Sequence, residues 1–94
     1  MKSYTAREFM KDGRMFHIFR ADTKNQLDRQ SDEHTHDFIE IVYLLRGSGS
    51  HEIGDVTYTM FPGCLYIVDS GEVHNLNFHE TSEYYNLFVK EDFL

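Results

Sequence analysis

Long hydrophobic runs, a second cysteine and basic clusters are all missing from this 94-residue chain, and each absence closes a class of function. No stretch approaches the roughly 18 consecutive apolar residues that a membrane-spanning helix needs. The start, MKSYTAREFMKDGR, lacks the apolar segment of a secretory leader. Cys64 is the single cysteine, so an internal disulfide cannot form. A reducing, cytoplasmic setting is therefore expected. Nine Lys and Arg against sixteen Asp and Glu give a formal charge of -7, with the acids spread rather than gathered in a tail. Nonspecific nucleic-acid affinity comes mainly from basic side chains that displace counterions, so this chain is not expected to bind DNA itself. Without a basic amphipathic helix, a membrane surface is not an expected partner either.

What is present reads as one globular domain. Hydrophobic residues make up 40% of the chain, and eight Phe and six Tyr argue against disorder. Residues 1–13 form a polar arm, short helix or extended, anchored by Tyr4, Phe9 and Met10. After the turn signal Asp12-Gly13, RMFHIFR (Arg14 to Arg20) alternates as a first strand, with Met15, His17 and Phe19 on one face. A lone strand histidine such as His17 is usually packed or solvated. Residues 21–33 (ADTKNQLDRQSDE) carry one large apolar residue, Leu27, and read as a solvated loop.

The stretch His34 to Gly47, HTHDFIEIVYLLRG, organises the rest. In a strand, alternate side chains share a face, so His34, His36, Phe38 and Glu40 point one way, prolonged by Val42 and Leu44. Ile39, Ile41, Tyr43 and Leu45 point the other way, and both faces are expected to be buried. Ser50–Ile53 and Val56–Met60 flank Gly54-Asp55, a hairpin with Gly first in a two-residue loop. Phe61-Pro62-Gly63 is a turn, Cys64–Val68 a short, largely buried strand, and Asp69-Ser70-Gly71-Glu72 another turn. Val73–His79 and Tyr84–Lys90 complete about seven strands with Gly-rich turns between them. Such a chain is all-β, a sandwich or barrel. Cys64 reads as a buried inert thiol, and His51 and His79 as exposed or at strand ends. Tyr84 and Tyr85 face opposite ways, so at least one lies on a surface.

Three histidines and a carboxylate suit a borderline divalent ion, because imidazole and carboxylate leave positions open for water or substrate. Strand spacing sets His34 and His36 side by side, Glu40 further along, and His74 arrives from a neighbouring strand. His34, His36, Glu40 and His74 are thus the candidate ligands for Zn, Ni, Fe or Mn. The same groups could instead line a metal-free pocket. A purely structural role conflicts with the cost of burying unpartnered polar groups.

The segment from His34 to Gly47 resembles the first cupin motif: His-x-His, three residues, Glu, six residues, Gly. Gly63 to His74 resembles the second, Gly, five residues, Pro-x-Gly, two residues, His, although Asp69 stands where the motif has Pro and Phe78 where it usually has Asn. More narrowly, HTHDFIEIVYLL and GEVHNL are similar to the N-terminal sensor domain of AraC-type transcription regulators. That resemblance covers residues 14–90. It implies an all-β cupin fold (double-stranded β-helix, or small jelly-roll barrel) over residues 14–94. It also implies metal positions at His34, His36, Glu40 and His74, and a pocket where Phe38, Val42, His34, His36 and His74 meet a small-molecule effector. A homodimer is implied as well, with a helix-turn-helix DNA-binding domain that 94 residues cannot contain. The alternative is a stand-alone metal-dependent cupin enzyme, a dioxygenase, isomerase or lyase.

Overall fold

Period-two alternation is satisfied by two sheets packed face to face, each burying one side. The computed structural model describes residues 1–11, 13–24 and 32–93. Its strands are β1 (Lys2–Tyr4), β2 (Phe16–Asp22), β3 (His34–His36), β4 (Ile39–Arg46), β5 (Gly49–Ile53), β6 (Val56–Met60), β7 (Leu65–Val68), β8 (His74–Phe78) and β9 (Glu83–Val89). A helix of four residues, α1 (Ala6–Phe9), follows β1, and a 3-10 turn spans Glu91–Phe93. The five-stranded sheet has the order β1-β3-β8-β5-β6 and the four-stranded sheet β2-β9-β4-β7. This is the expected all-β cupin architecture.

The organising stretch is not one strand. It leaves the five-stranded sheet after His36, turns at Asp37-Phe38, and enters the four-stranded sheet at Ile39. The corner is stapled to the N-terminal segment: Ala6 N–H donates to Asp37 Oδ1 at 2.6 Å, and Asp37 N–H to the Tyr4 carbonyl at 3.2 Å. β1 runs parallel to β3, with Tyr4 opposite His36, so the first residues combine a strand with a helical turn.

Several boundaries move. The first strand runs from Phe16 to Asp22, two residues later than expected, because Ala21 and Asp22 pair with Tyr84 and Glu83 of β9. Thr23 is buried and exchanges hydrogen bonds with Ser82, so the expected loop starts beyond it. Leu27 and most of that loop lie outside the described residues. The outer face of β4 is only half-buried, with Tyr43 exposed, and β7 exposes Leu65 and Ile67. No layer of the described residues covers that side of the four-stranded sheet, which is why both-face burial fails there.

Inside, one cluster of buried side chains joins Val42 and Leu44 of β4 to Met60, Cys64, Leu76 and Phe78. A second joins Met10, Phe38 and Phe88, with Tyr4, Phe9 and Phe19 packed against it. Gly47 (φ 106°) ends β4 where any Cβ would collide with Ser82. Gly49 opens β5 against the backbone of Asn77 and Phe78, equally without room for a Cβ. These two glycines let β4 and β5 change sheets at close quarters.

Candidate metal and ligand site

The corner after β3 aims the polar residues of both sheets at one place. His34 pairs with His74 across β3 and β8, and their rings lie 4.2 Å apart, centroid to centroid. Glu40 enters from the facing sheet. Ligand atoms of His34, Glu40 and His74 all lie within 4.8 Å of one another, a little wider than the span of about 4.4 Å that two bonds of about 2.2 Å to one ion can reach, so they would draw together on an ion. His36 joins through Glu40: its Nε2 is 3.1 Å from Oε1, and His74 Nε2 is 3.3 Å from the same oxygen. All four expected ligands thus converge, three as one group and His36 beside it.

Hydrogen bonds fix how these rings are presented. His36 Nδ1 lies 2.6 Å from the Phe38 carbonyl and His34 Nδ1 2.8 Å from the Asp32 carbonyl. A carbonyl only accepts, so each Nδ1 carries the proton, and in the neutral ring the Nε2 lone pair is left free. His74 Nδ1 lies 3.0 Å from His51 Nε2. Such outer partners orient metal-bound imidazoles. Yet His36 Nε2 and His74 Nε2 are buried without a well-aligned hydrogen-bond partner. A neutral His36 therefore turns a lone pair toward a carboxylate oxygen. Two acceptors facing each other at 3.1 Å in a buried site need a positive charge between or on them.

The electrostatics favour a ready ligand set. Burial pushes His34 below its ordinary 6.5, more than the Asp32 carbonyl restores. Burial, then the neighbouring His74, lowers His51 to about 4. Burial opposes the charge on Glu40, but hydrogen bonding and charge from His36 and His74 outweigh it and hold the carboxyl well below the usual range. A lowered His34 and an ionised Glu40 are in the protonation states in which each can ligate a divalent ion. The donor set and its orphaned nitrogens fit such an ion.

The site opens into a cavity of about 340 Å³, near the lower end for small-molecule pockets. His34, His36, Phe38 and Glu40 line it, together with Tyr4, Phe9, Leu76, Tyr84, Asn86 and Phe88. Val42 is fully buried in the core cluster and does not line this cavity. His74 belongs to the ligand group rather than the cavity wall. A second hollow of about 660 Å³, lined by Met1, Lys2, Tyr4, Asp32, Glu33 and His34, shares only Tyr4 and His34 with the first and holds none of the other ligands.

Three placements were not read from the sequence. His51 is fully buried rather than exposed, because β5 is paired on both sides and its alternation turns His51 inward with Gly49. That alternation was the available signal. Tyr4 and Phe9 come from the arm, for which local pattern gave no docking site. Asn86 sits mid-strand in β9 with its Oδ1 buried and unpartnered. Leaving such a carbonyl unsatisfied costs about 1–3 kcal/mol. His17 packs among Phe9, Phe19 and Phe88, and His79 is exposed. Cys64 is buried, as expected.

The AraC-like ligand binding domain family matches residues 16–94. The chain belongs to that family. Over 43 residues this AraC-like domain is 40% identical to the HTH-type transcriptional activator RhaR of Escherichia coli K12, a match covering 46% of this chain and 15% of that protein. The Cnp3 cupin domain of Schizosaccharomyces pombe superposes with a TM-score of 0.76 at 14% identity, over 90% of this chain and 63% of that one. An RmlC-like cupin from Shewanella frigidimarina gives 0.73 at 15% identity, over 85% and 72%. At these identities the structural likenesses show the cupin fold alone.

Proposed function

We propose that this AraC-like domain is the effector-sensing part of a transcriptional regulator, and that it captures a small molecule in the aromatic cavity beside a divalent metal site. The observation that carries the metal reading is His36 Nε2 facing Glu40 Oε1, with Nδ1 of His36 already committed to the Phe38 carbonyl. His34, His36, Glu40 and His74 would hold the ion, with Zn, Ni, Fe or Mn suited to imidazole and carboxylate. When bound, such an ion supplies a Lewis-acid contact for an oxygen of the effector. The protein's own part is to orient the rings through Asp32, Phe38 and His51, and to exclude water with Phe9, Phe38 and Phe88.

The rest of the regulator is part of the same proposal. A DNA-binding domain would lie elsewhere in the full-length protein, consistent with a relative named as an HTH-type activator of which the match covers 15%. A homodimer working in the cytoplasm completes it. Among the described residues no helix is long and apolar enough to cross a membrane. The family match favours sensing over a stand-alone metallo-cupin enzyme.

Elemental analysis of protein purified without added metal, then reloaded with Zn, Ni, Fe or Mn, is expected to find one equivalent per chain. Absence of all four after reloading would defeat the metal reading. In the full-length regulator, His36→Ala is expected to abolish effector response in a reporter assay, and an unchanged response would remove this site from sensing.

A further inference from the structure

Asn86 is a polar residue in an apolar row. In β9 it is paired with Phe19 of β2 on one side and Val42 of β4 on the other, and directly opposed residues point to the same face. Its same-face neighbours along the strand are Tyr84 and Phe88. Asn86 is only 6% exposed, its Oδ1 has no hydrogen-bond partner, and it lines the 340 Å³ cavity. Neither Phe19 nor Val42 can donate to it.

We infer that Asn86 is a specificity-determining residue that reads a hydroxyl of the effector, and that the effector is a neutral ring compound carrying hydroxyls at opposite ends. The inference rests on the cavity being the effector site. Asn86 pairs with Val42, while Glu40 pairs with Phe88, so the two polar ends of the cavity are two residues apart along the strands. That is roughly 7 Å, about the width of a ring substituted at both ends. Phe9, Phe38 and Phe88 supply flat apolar walls between them.

The ends differ in what they ask of a ligand. Asn86 Oδ1 accepts only, so it needs a donor. The other end offers imidazole lone pairs and the Glu40 carboxylate. A divalent ion among them, with three neutral imidazoles and one carboxylate, would leave a net charge of +1 that disfavours an ammonium group. Among the described residues no Lys or Arg lines the cavity to receive a carboxylate or phosphate. A hydroxyl both donates and accepts, and so serves either end without a charge. An aromatic diol and a sugar ring share this chemistry.

The test uses the 15N-labelled 94-residue chain, its metal content measured, and four probes followed by amide shifts of Phe38 and Phe88. These are 4-hydroxybenzyl alcohol, methyl glucopyranoside, benzyl alcohol and benzyltrimethylammonium. One of the first two is expected to bind more tightly than the last two, and which one does so separates the aromatic from the sugar source. Asn86→Leu is expected to weaken that binding about tenfold while leaving benzyl alcohol unchanged, as for one lost hydrogen bond. The same substitution is expected to raise Tm by about 4 °C or more, because Leu matches Phe19 and Val42 and removes the orphaned carbonyl. A lowered Tm with unchanged diol affinity would make Asn86 structural and overturn the inference. Equal or tighter binding of benzyl alcohol or the ammonium would overturn the ligand class while leaving the cavity as the effector site. If no probe shifts Phe38 or Phe88, the inference and the effector-site reading fall together.

Discussion

The two ends of the barrel interior are built from the same strands, yet one end stores polar groups and the other excludes them. Along the inner face of β4, Glu40 gives way to Val42 and Leu44, and along β8, His74 gives way to Leu76 and Phe78. At the apolar end these side chains interlock with Met60 and Cys64. At the polar end three imidazoles and a carboxylate are buried beside the half-buried His34, with hydrogen-bonding capacity left over. Alternation decides which side of a strand faces inward, and position along the strand decides which end of the barrel a residue serves. One end is closed by apolar packing alone, whereas at the other a second apolar cluster around Phe38 and Phe88 shares its space with the polar ligand set.

That division can be broken or sharpened by substitution. Leu44→Ala at the apolar end is expected to cost about 2–5 kcal/mol in urea unfolding, because a fully buried side chain leaves a cavity. Metal affinity of the folded protein should be unaffected, and a parallel loss would show that the ends are coupled. Glu40→Gln at the polar end is expected to weaken Zn binding by more than about 100-fold, measured by competition with a chromophoric chelator, since it removes a charged ligand. Retained affinity would take Glu40 out of the site. His51→Leu removes the outer partner of His74 and is expected to cost about 10–100-fold in the same titration. The smallest effect is expected outside the barrel. Ile67→Thr, on the exposed face of the four-stranded sheet, should change stability by less than about 0.5 kcal/mol in the same urea experiment.

Much of the site was legible because strand periodicity and ligand chemistry coincide. Parity placed His34, His36 and Glu40 together, and the second motif supplied His74. The corner at Asp37-Phe38 preserved this convergence by carrying Glu40 into the facing sheet, where it meets the imidazoles from the other side. His51 was misplaced because a histidine near a hairpin reads as solvated unless both neighbours of its strand are known. Tyr4, Phe9 and Asn86 were missed for a related reason. Each becomes part of the cavity through long-range pairing, Tyr4 by the parallel β1–β3 contact and Asn86 by register between β9 and β4. Local pattern carries no information about such partners. The half-buried outer face of β4 and the exposed one of β7 read as buried from sequence because their residues are apolar, and apolarity alone does not supply a covering layer.

The central claim is that a divalent ion resolves the opposed acceptors of His36 and Glu40. A Co(II) titration of metal-stripped protein tests it most directly, because visible ligand-field bands report the coordinating atoms as well as the stoichiometry. The account expects one equivalent to bind with bands of nitrogen and oxygen coordination, and His36→Ala to lose or reshape them. An unstructured, aquo-like spectrum in the native protein, or identical spectra for native protein and His36→Ala, would contradict it.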